Sequence, residues 1–470
     1  MGEIGVFVLI SNQIRVTGPT ATLRKWCKDH LVIKNPEYSK KVRMGFWVGD
    51  TPEKIFLYEE RDGTLYLPYG CLERVLQECD DPIWVRPNRD IIDYRCAIPL
   101  YDYQETAVKA MTEHKVGILQ SPAGSGKTQM GIALACTLQR RTLWITHTAD
   151  LLRQSKARAE RYMDKGLIGT ITEGKVQIGA GITFATVQTM CHLNLNLYKR
   201  VWDCIIVDEC HRVAGSPTAV TMFHKVLNSL AAYHKYGLSA TVHRADGMIR
   251  ATFALLGDVV YEVPETAVAD KIMKVSILPR ATGVGIHSEF LDTDGTIVYA
   301  RLVNHLTRHV RRNSLIVTDL IENADHYNLI LSDRLEHLEL LMDCLPHDLR
   351  QQAVMVDGKM TSKKAKVQRE RAIEDMRAGK KRYLFATYSL AKEGLDIPRL
   401  DRLYLTTPQK DYAVIAQSIG RISRTFEGKG EPVAYDYVDN GITLLVKSYK
   451  KRCTTYRKCR CAFVDSEVEQ

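Results

Sequence analysis

No uninterrupted apolar run in the 470 residues is long enough to cross a bilayer, which argues against a transmembrane helix. The first residues, Met1-Gly2-Glu3, lack the basic region and small-residue cleavage site of a signal peptide. An acidic excess is also missing: the formal net charge is +10, which permits a polyanionic partner without requiring one. The twelve cysteines form no zinc-type pattern. Cys136 and Cys204 sit inside apolar runs, as reduced core thiols do. Cys453, Cys459 and Cys461 come close together but have no local histidine to complete a ligand set. These absences lead to the expectation of a soluble cytoplasmic protein with no membrane partner. A hydrophobic content of 45% and a charged content of 26% are ordinary for globular chains. The length suits about three domains.

What is present is organised around Gln120-Ser121-Pro122-Ala123-Gly124-Ser125-Gly126-Lys127-Thr128. The apolar run Val116 to Leu119 leads in and a helical pattern, Met130 to Leu138, follows. A glycine-bearing loop between strand and helix presents backbone N–H groups and a helix N-terminus to phosphate. Gly124 and Gly126 let the backbone wrap an anion, with Ser125 between them also a nucleotide-binding residue; Lys127 can reach the β- and γ-phosphates, and the Thr128 hydroxyl can ligate Mg²⁺. Ser121 stands where the strict pattern has glycine. The expected ligand is a nucleotide with Mg²⁺.

Along the chain, residues 1–95 read as short β-rich runs, Gly5 to Leu9, Gly45 to Val48, Lys54 to Tyr58 and Thr64 to Leu67. One amphipathic stretch, Thr20 to Leu31, interrupts them. This is a small α+β accessory domain, either structural or nucleic-acid-gripping, with Lys40, Lys41 and Arg43 as a modest basic group. Residues 96–255 alternate strand and helix patterns, the signature of a parallel α/β sheet. There Cys204-Ile205-Ile206-Val207 runs into Asp208-Glu209-Cys210-His211, an apolar strand ending in adjacent carboxylates. One carboxylate can hold Mg²⁺ and the other can activate water. Residues 256–300 read as a linker or small insertion, and 301–445 as a second α/β half without a phosphate loop. In that half Gln417 to Arg424 places Arg421 and Arg424 three apart, expected on one helix face. The tail, 446–470, carries seven basic residues from Lys447 to Arg460, suited to phosphate-backbone contact or to a solvated helix.

In this order the segments resemble the motifs of superfamily 2 helicases of the DExH type, across roughly residues 96–440. The resemblance implies two tandem RecA-like parallel-sheet lobes behind the N-terminal α+β domain. Leu100 to Gln104 resembles the adenine-reading segment, which implies that Gln104 contacts the base; Tyr101 stands where many relatives carry arginine. The phosphate loop resembles motif I and Asp208 to His211 motif II. Leu143 to Thr146 looks like motif Ia, and Phe184 to Thr189 like the next strand-contacting motif. Ser239-Ala240-Thr241 is similar to the coupling motif III. Ile330 to Arg334, with Ser332, looks like motif IV. Ala386-Thr387 through Asp396 to Pro398 matches motif V, and Gln417 to Arg424 motif VI. By the same resemblance Thr146, Thr186, Gln188, Ser332 and Thr387 touch nucleic acid, while Asp396 belongs with the nucleotide-binding residues. Val242 to Asp246 is similar to an Arg-Glu-Asp element of XPB-like helicases, with Ala245 replacing the glutamate. Phage branch-migration helicases of the UvsW kind share this architecture.

The mechanism implied is ATP·Mg²⁺ held by Lys127, Thr128 and Asp208, with water polarised by Glu209 and placed by Gln417. Arg421 and Arg424 then neutralise transition-state charge. The expected activity is unwinding or remodelling of single-stranded, forked or branched DNA, 3′ to 5′, in a bacterial or phage-infected cell. The alternatives are a duplex translocase or restriction-system motor, an RNA helicase, and a binding module with a degenerate ATP site.

Overall fold

The computed structural model describes residues 6–79, 81–86, 90–122, 124–172, 174–242, 247–268, 272–357, 363–392, 395 and 397–464. Ala123, His243 to Asp246, Glu393, Gly394 and Asp396, all singled out above, lie outside them. The chain divides into two units, Met1–Pro122 with Gly126–Ala267, and Val268–Gln470 with Ala123–Ser125.

Among the described residues the first unit contains three sheets, the smallest a pairing of Val32–Lys34 with Lys54–Phe56. The N-terminal one has five strands in the order Glu59–Arg61, Thr64–Leu67, Ile14–Thr17, Phe7–Ile10, Ile83–Trp84. In Ile14-Arg15-Val16-Thr17 the alternation of apolar and polar side chains follows the pleat: Ile14 and Val16 are buried, Arg15 and Thr17 exposed. The helix Ala21–His30 starts where the Thr20 hydroxyl accepts from Leu23 N–H. A second helix, Pro36–Arg43, carries Lys40, Lys41 and Arg43. The strand expected over Gly45 to Val48 does not form. Gly45 and Gly49 take φ of +67° and +52°, and these left-handed residues turn the chain where a strand would need it extended.

The buried residues of this sheet do not close on themselves. Val8, Ile10, Val16 and Leu65 belong to one core with Val116, Val220, Ala251 and Ala254 of the larger sheet's layers. At Gly70 the backbones approach so closely that a β-carbon would meet Phe253 O at 2.4 Å and Ala254 O at 2.5 Å. Lys235, fully buried, donates to Asn12 O (3.1 Å) and Leu227 O (2.5 Å), and Tyr69 Oη donates to Tyr233 O.

The larger sheet has eight strands ordered Lys175–Gln177, Ile168–Thr172, Ile182–Thr186, Thr142–Thr146, Cys204–Asp208, His234–Ser239, Val116–Gln120, Val259–Glu262. All pairs are parallel except that of the Lys175–Gln177 edge. Thr142–Thr146 and Cys204–Asp208 are buried at every residue, as expected for strands covered by helices on both faces. Parallel register brings the carboxyl ends of Val116–Gln120, His234–Ser239 and Cys204–Asp208 to one edge.

The second unit is a parallel seven-stranded sheet, ordered Ala353–Val356, Tyr383–Thr387, Asn328–Ser332, Arg402–Leu405, Val433–Val438, Ser276–Ala281, Ala462–Phe463. Segment 256–300, irregular in sequence, supplies a strand to each large sheet: Val259–Glu262 and Ser276–Ala281. The first is short and bulged between Val259 and Tyr261, and the second contains Pro279, which hides the strand pattern. The basic stretch after 446 lies mostly in the helix Thr443–Lys458. Arg452 in its middle is buried against Asp436, so that residue is neither solvated nor open to phosphate.

Candidate functional site

The phosphate loop leaves Val116–Gln120 with Ser121 N–H donating to Ser239 O at 2.9 Å, which ties it to the end of the neighbouring strand. Gly124 and Gly126 adopt φ of +84° and +81°, a region costly for residues with a β-carbon. At Gly126 that carbon would lie 2.5 Å from Gln104 Nε2. Gln104 is buried, and its Oε1 accepts from Tyr101 N–H (3.0 Å) in a capping box that opens the helix Asp102–Thr112. One side chain therefore caps a helix and borders the loop. The helix Lys127–Leu138 begins immediately after Gly126, so its unsatisfied N–H groups face the loop. Lys127 Nζ reaches Pro122 O only at 3.5 Å, a weak bond that a phosphate oxygen would displace. Ser125 is buried and Thr128 half-buried.

At the end of Cys204–Asp208, Asp208 is buried. It accepts from Ser155 Oγ (3.2 Å) and from Glu209 N–H (3.0 Å). Burial, then the neighbouring Glu209 charge, pushes its carboxyl above the usual carboxylate range, and Lys127 and Ser155 pull the other way. Glu209 itself has φ of +50°, a left-handed residue of the strained kind that collects at functional sites.

His211 Nδ1 lies 3.2 Å from Glu209 Oε2 and 3.1 Å from Ser239 Oγ. Ser239 Oγ donates to Thr241 O (2.7 Å) and accepts from Thr241 N–H (3.1 Å). With the hydroxyl proton committed to Thr241, the network assigns the proton between His211 and Ser239 to Nδ1. The result is a hydrogen-bonded link from His211 to residues 239–241, with the Glu209 carboxylate beside the same ring nitrogen. The sequence carries Glu209 and residues 239–241 but no sign that His211 lies beside both. Ser155, inside the helix Ala149–Ala159, has no signal in the sequence at all.

The proposed nucleic-acid positions differ in accessibility. Thr146 is buried, its hydroxyl donating to Thr148 O (3.0 Å). Thr186 is buried and caps the helix Val187–His192 through Thr189 N–H. Ser332 is buried between His337 Nδ1 and Arg334 N–H, both 3.1 Å away. Gln188 and Thr387 are half-buried, Gln188 reaching His147 Nδ1 at 3.5 Å and Thr387 pairing with Ser389 at 2.9 Å. The hydroxyls at the first three positions are thus committed to the fold.

In the second unit the helix Tyr412–Ile422 carries Gln417 and Arg421, but Arg424 lies beyond its end, which corrects the shared helix face expected from spacing. The helix stops because Ser423 O accepts from Met273 N–H and Arg424 pairs with Ile272 in a β-bridge. Lys429 Nζ takes up the Ile422 and Arg424 carbonyls at 2.6 and 2.7 Å. Arg421 donates to Ala391 O (3.0 Å) and Leu395 O (3.1 Å). Gln417 is buried, with Oε1 lacking a hydrogen-bond partner among the described residues.

Two family models match the chain. Residues 97–244 match the type III restriction enzyme res subunit, and 299–426 the helicase conserved C-terminal domain. A protein of Acanthamoeba polyphaga mimivirus, provisionally named ATP-dependent RNA helicase L396, is 26% identical over 75% of this chain and 65% of its own. The DNA 3′-5′ translocase XPB2 of Sulfurisphaera tokodaii is 31% identical over 37% of this chain and 38% of its own. The chain thus spans under two thirds of either relative. Among solved structures, Saccharomyces cerevisiae Dbp5 bound to RNA and ADP BeF3 aligns with a TM-score of 0.55 at 16% identity, covering 77% of this chain and 89% of that one.

Proposed function

We infer that the chain is a superfamily 2 helicase of the XPB-like type, a nucleic-acid-dependent ATPase with two RecA-like lobes. From that premise we propose that it acts on forked or branched DNA, moving 3′ to 5′. The observation that carries the motor reading is the meeting at one sheet edge of the phosphate loop, Asp208, Glu209 and the His211–Ser239 line. In this reading Gly124, Ser125, Gly126 and Lys127 bind the triphosphate and Gln104 reads the base. Glu209 orients and deprotonates the attacking water, with Gln417 helping to place it. Arg421 and Arg424 are the second unit's candidates for stabilising charge on the γ-phosphate, and Asp396 is assigned to nucleotide contact.

Thr128 and Asp208 would offer an all-oxygen donor set, and the Asp208 carboxyl, raised by burial and then by Glu209, is a group that a hard cation would stabilise. Mg²⁺ held there would neutralise triphosphate charge. The His211–Ser239–Thr241 line gives a physical route by which a change at Glu209 reaches residues 239–241. Thr146, Thr186, Gln188, Ser332 and Thr387 mark the segments that grip the strand.

DNA is favoured over RNA because the XPB-type relatives are named for DNA. The RNA reading rests on the name of the mimivirus relative. Strand displacement on forks bearing a single-stranded 3′ or 5′ tail tests the proposal. Release of the strand from 3′-tailed forks, lost in Lys127→Ala, is expected. Release only from 5′-tailed forks would refute the polarity, and release only from RNA duplexes would refute the DNA assignment.

A further inference from the structure

Away from the motor residues, the second unit holds His287, Glu289 and His305 with one ligand-type atom from each within 4.8 Å of the others. We propose that these three side chains form a binding site for a divalent transition metal of the zinc class. The donor set, two imidazoles and a carboxylate, is one that zinc uses when three protein ligands leave a position for water.

The spacings suit the ion. His305 Nδ1 lies 2.7 Å from Glu289 Oε2, and His287 Nδ1 lies 3.8 Å from the same oxygen. Ligands at about 2.0–2.1 Å from a tetrahedral ion stand about 3.3 Å apart. The two observed separations bracket that value, so small side-chain shifts admit the ion. It would replace the proton between His305 and Glu289, and take the His287 lone pair that now accepts weakly from Glu289 N–H at 3.3 Å.

The ligands are also positioned beforehand. Phe290, next to Glu289, is fully buried in a small core with Val284, Leu302 and Leu306, which anchors the Ser288–Phe290 turn against the helix Tyr299–Arg308. The His305 ring is stacked on His287 (centroids 5.0 Å) and edged by Phe290 (5.2 Å) and His309 (5.7 Å), which fixes its plane. His309 stands outside this group of three, and its Nδ1 accepts from Arg312 N–H at the start of the helix Val310–Glu322. The ion would fasten the turn to the helix.

The test uses the full chain, stripped with a chelator and titrated with Co²⁺, whose ligand-field absorption reports coordination, and with Zn²⁺ by calorimetry. One equivalent is expected to bind with a visible cobalt spectrum. His287→Ala and His305→Ala, judged folded by circular dichroism, are each expected to weaken that equivalent by more than about tenfold. Ser288→Ala is expected to leave it unchanged. His287 is exposed, so its variant carries the test if His305→Ala fails to fold. Absence of the cobalt spectrum in the wild-type chain, or equal binding by wild type and His287→Ala, would overturn the site. ATP hydrolysis does not enter the readout, so this result and that for the motor stand apart.

Discussion

Asp208 and Glu209 are adjacent in sequence but differ in setting. Asp208 ends a buried strand and accepts from Ser155 and from the backbone. Glu209 is turned out of the strand by its positive φ and faces His211. A buried carboxylate next to a lysine suits cation binding, and a turned-out one suits work on water. Lys127→Ala and Glu209→Gln should therefore abolish nucleic-acid-stimulated hydrolysis while leaving the melting temperature close to wild type, measured by phosphate release and calorimetry. His211→Ala removes the line to Ser239 without touching the phosphate loop. It should cut stimulated kcat by about tenfold or more with nucleotide affinity retained, since a positioned polar group acts mainly in the transition state.

Acid sensitivity is also a residue-scale property. Burial lowers the pKa of His234 and of His337 to about 3, from 6.5. Between those values the unfolded chain binds more protons than the folded one, so stability is full above 6.5 and falls as the pH drops toward 3. Urea midpoints should decline below pH 6.5, and His337→Asn should flatten the decline.

Elements explain which parts of the fold were legible. Strands such as Cys204–Asp208 are uninterrupted apolar runs ending in polar, chemistry-bearing residues, and a parallel sheet needs such strands. Their order along the chain already marked one sheet edge as the site. The run Phe46-Trp47-Val48 has strand-like side chains, but the flanking left-handed glycines decide its conformation. Val259–Glu262 and Ser276–Ala281 were hidden because each is stabilised by a neighbouring strand rather than by a pattern of its own.

The helix Thr443–Lys458 gives the clearest case of charge that composition misreads. Arg452 makes two bonds to Asp436, at 2.8 and 2.7 Å, and one to Gln409 O, while Tyr456 Oη donates to the same carboxylate. Removing one partner of a buried ion pair leaves the other uncompensated. Arg452→Ala should cost about 3–5 kcal/mol in urea unfolding, whereas exposed Lys450→Ala and Lys451→Ala should each stay within about 0.5 kcal/mol.

At the scale of the molecule, the N-terminal sheet is built into the first unit rather than appended to it. Its buried face shares a core with Val116, Val220 and Ala251, and Asn12 O receives the buried Lys235 ammonium. Removing residues 1–86 would expose those side chains and strand that lysine, so the truncated chain should melt well below the full one or aggregate. A truncated chain that melts with the full one would show the sheet to be an independent module. Composition gave no hint of this sharing, because apolar residues do not announce which neighbour covers them.

Steady-state hydrolysis decides whether the chain works as a DNA-dependent ATPase through Lys127, Asp208 and Glu209. The assay compares no nucleic acid, single-stranded DNA, duplex, forked DNA and matched RNA, for the wild-type chain and Glu209→Gln. Stimulation is expected to be strongest with forked DNA and absent in the variant. Stimulation by RNA alone, or near-wild-type turnover by Glu209→Gln, would contradict it.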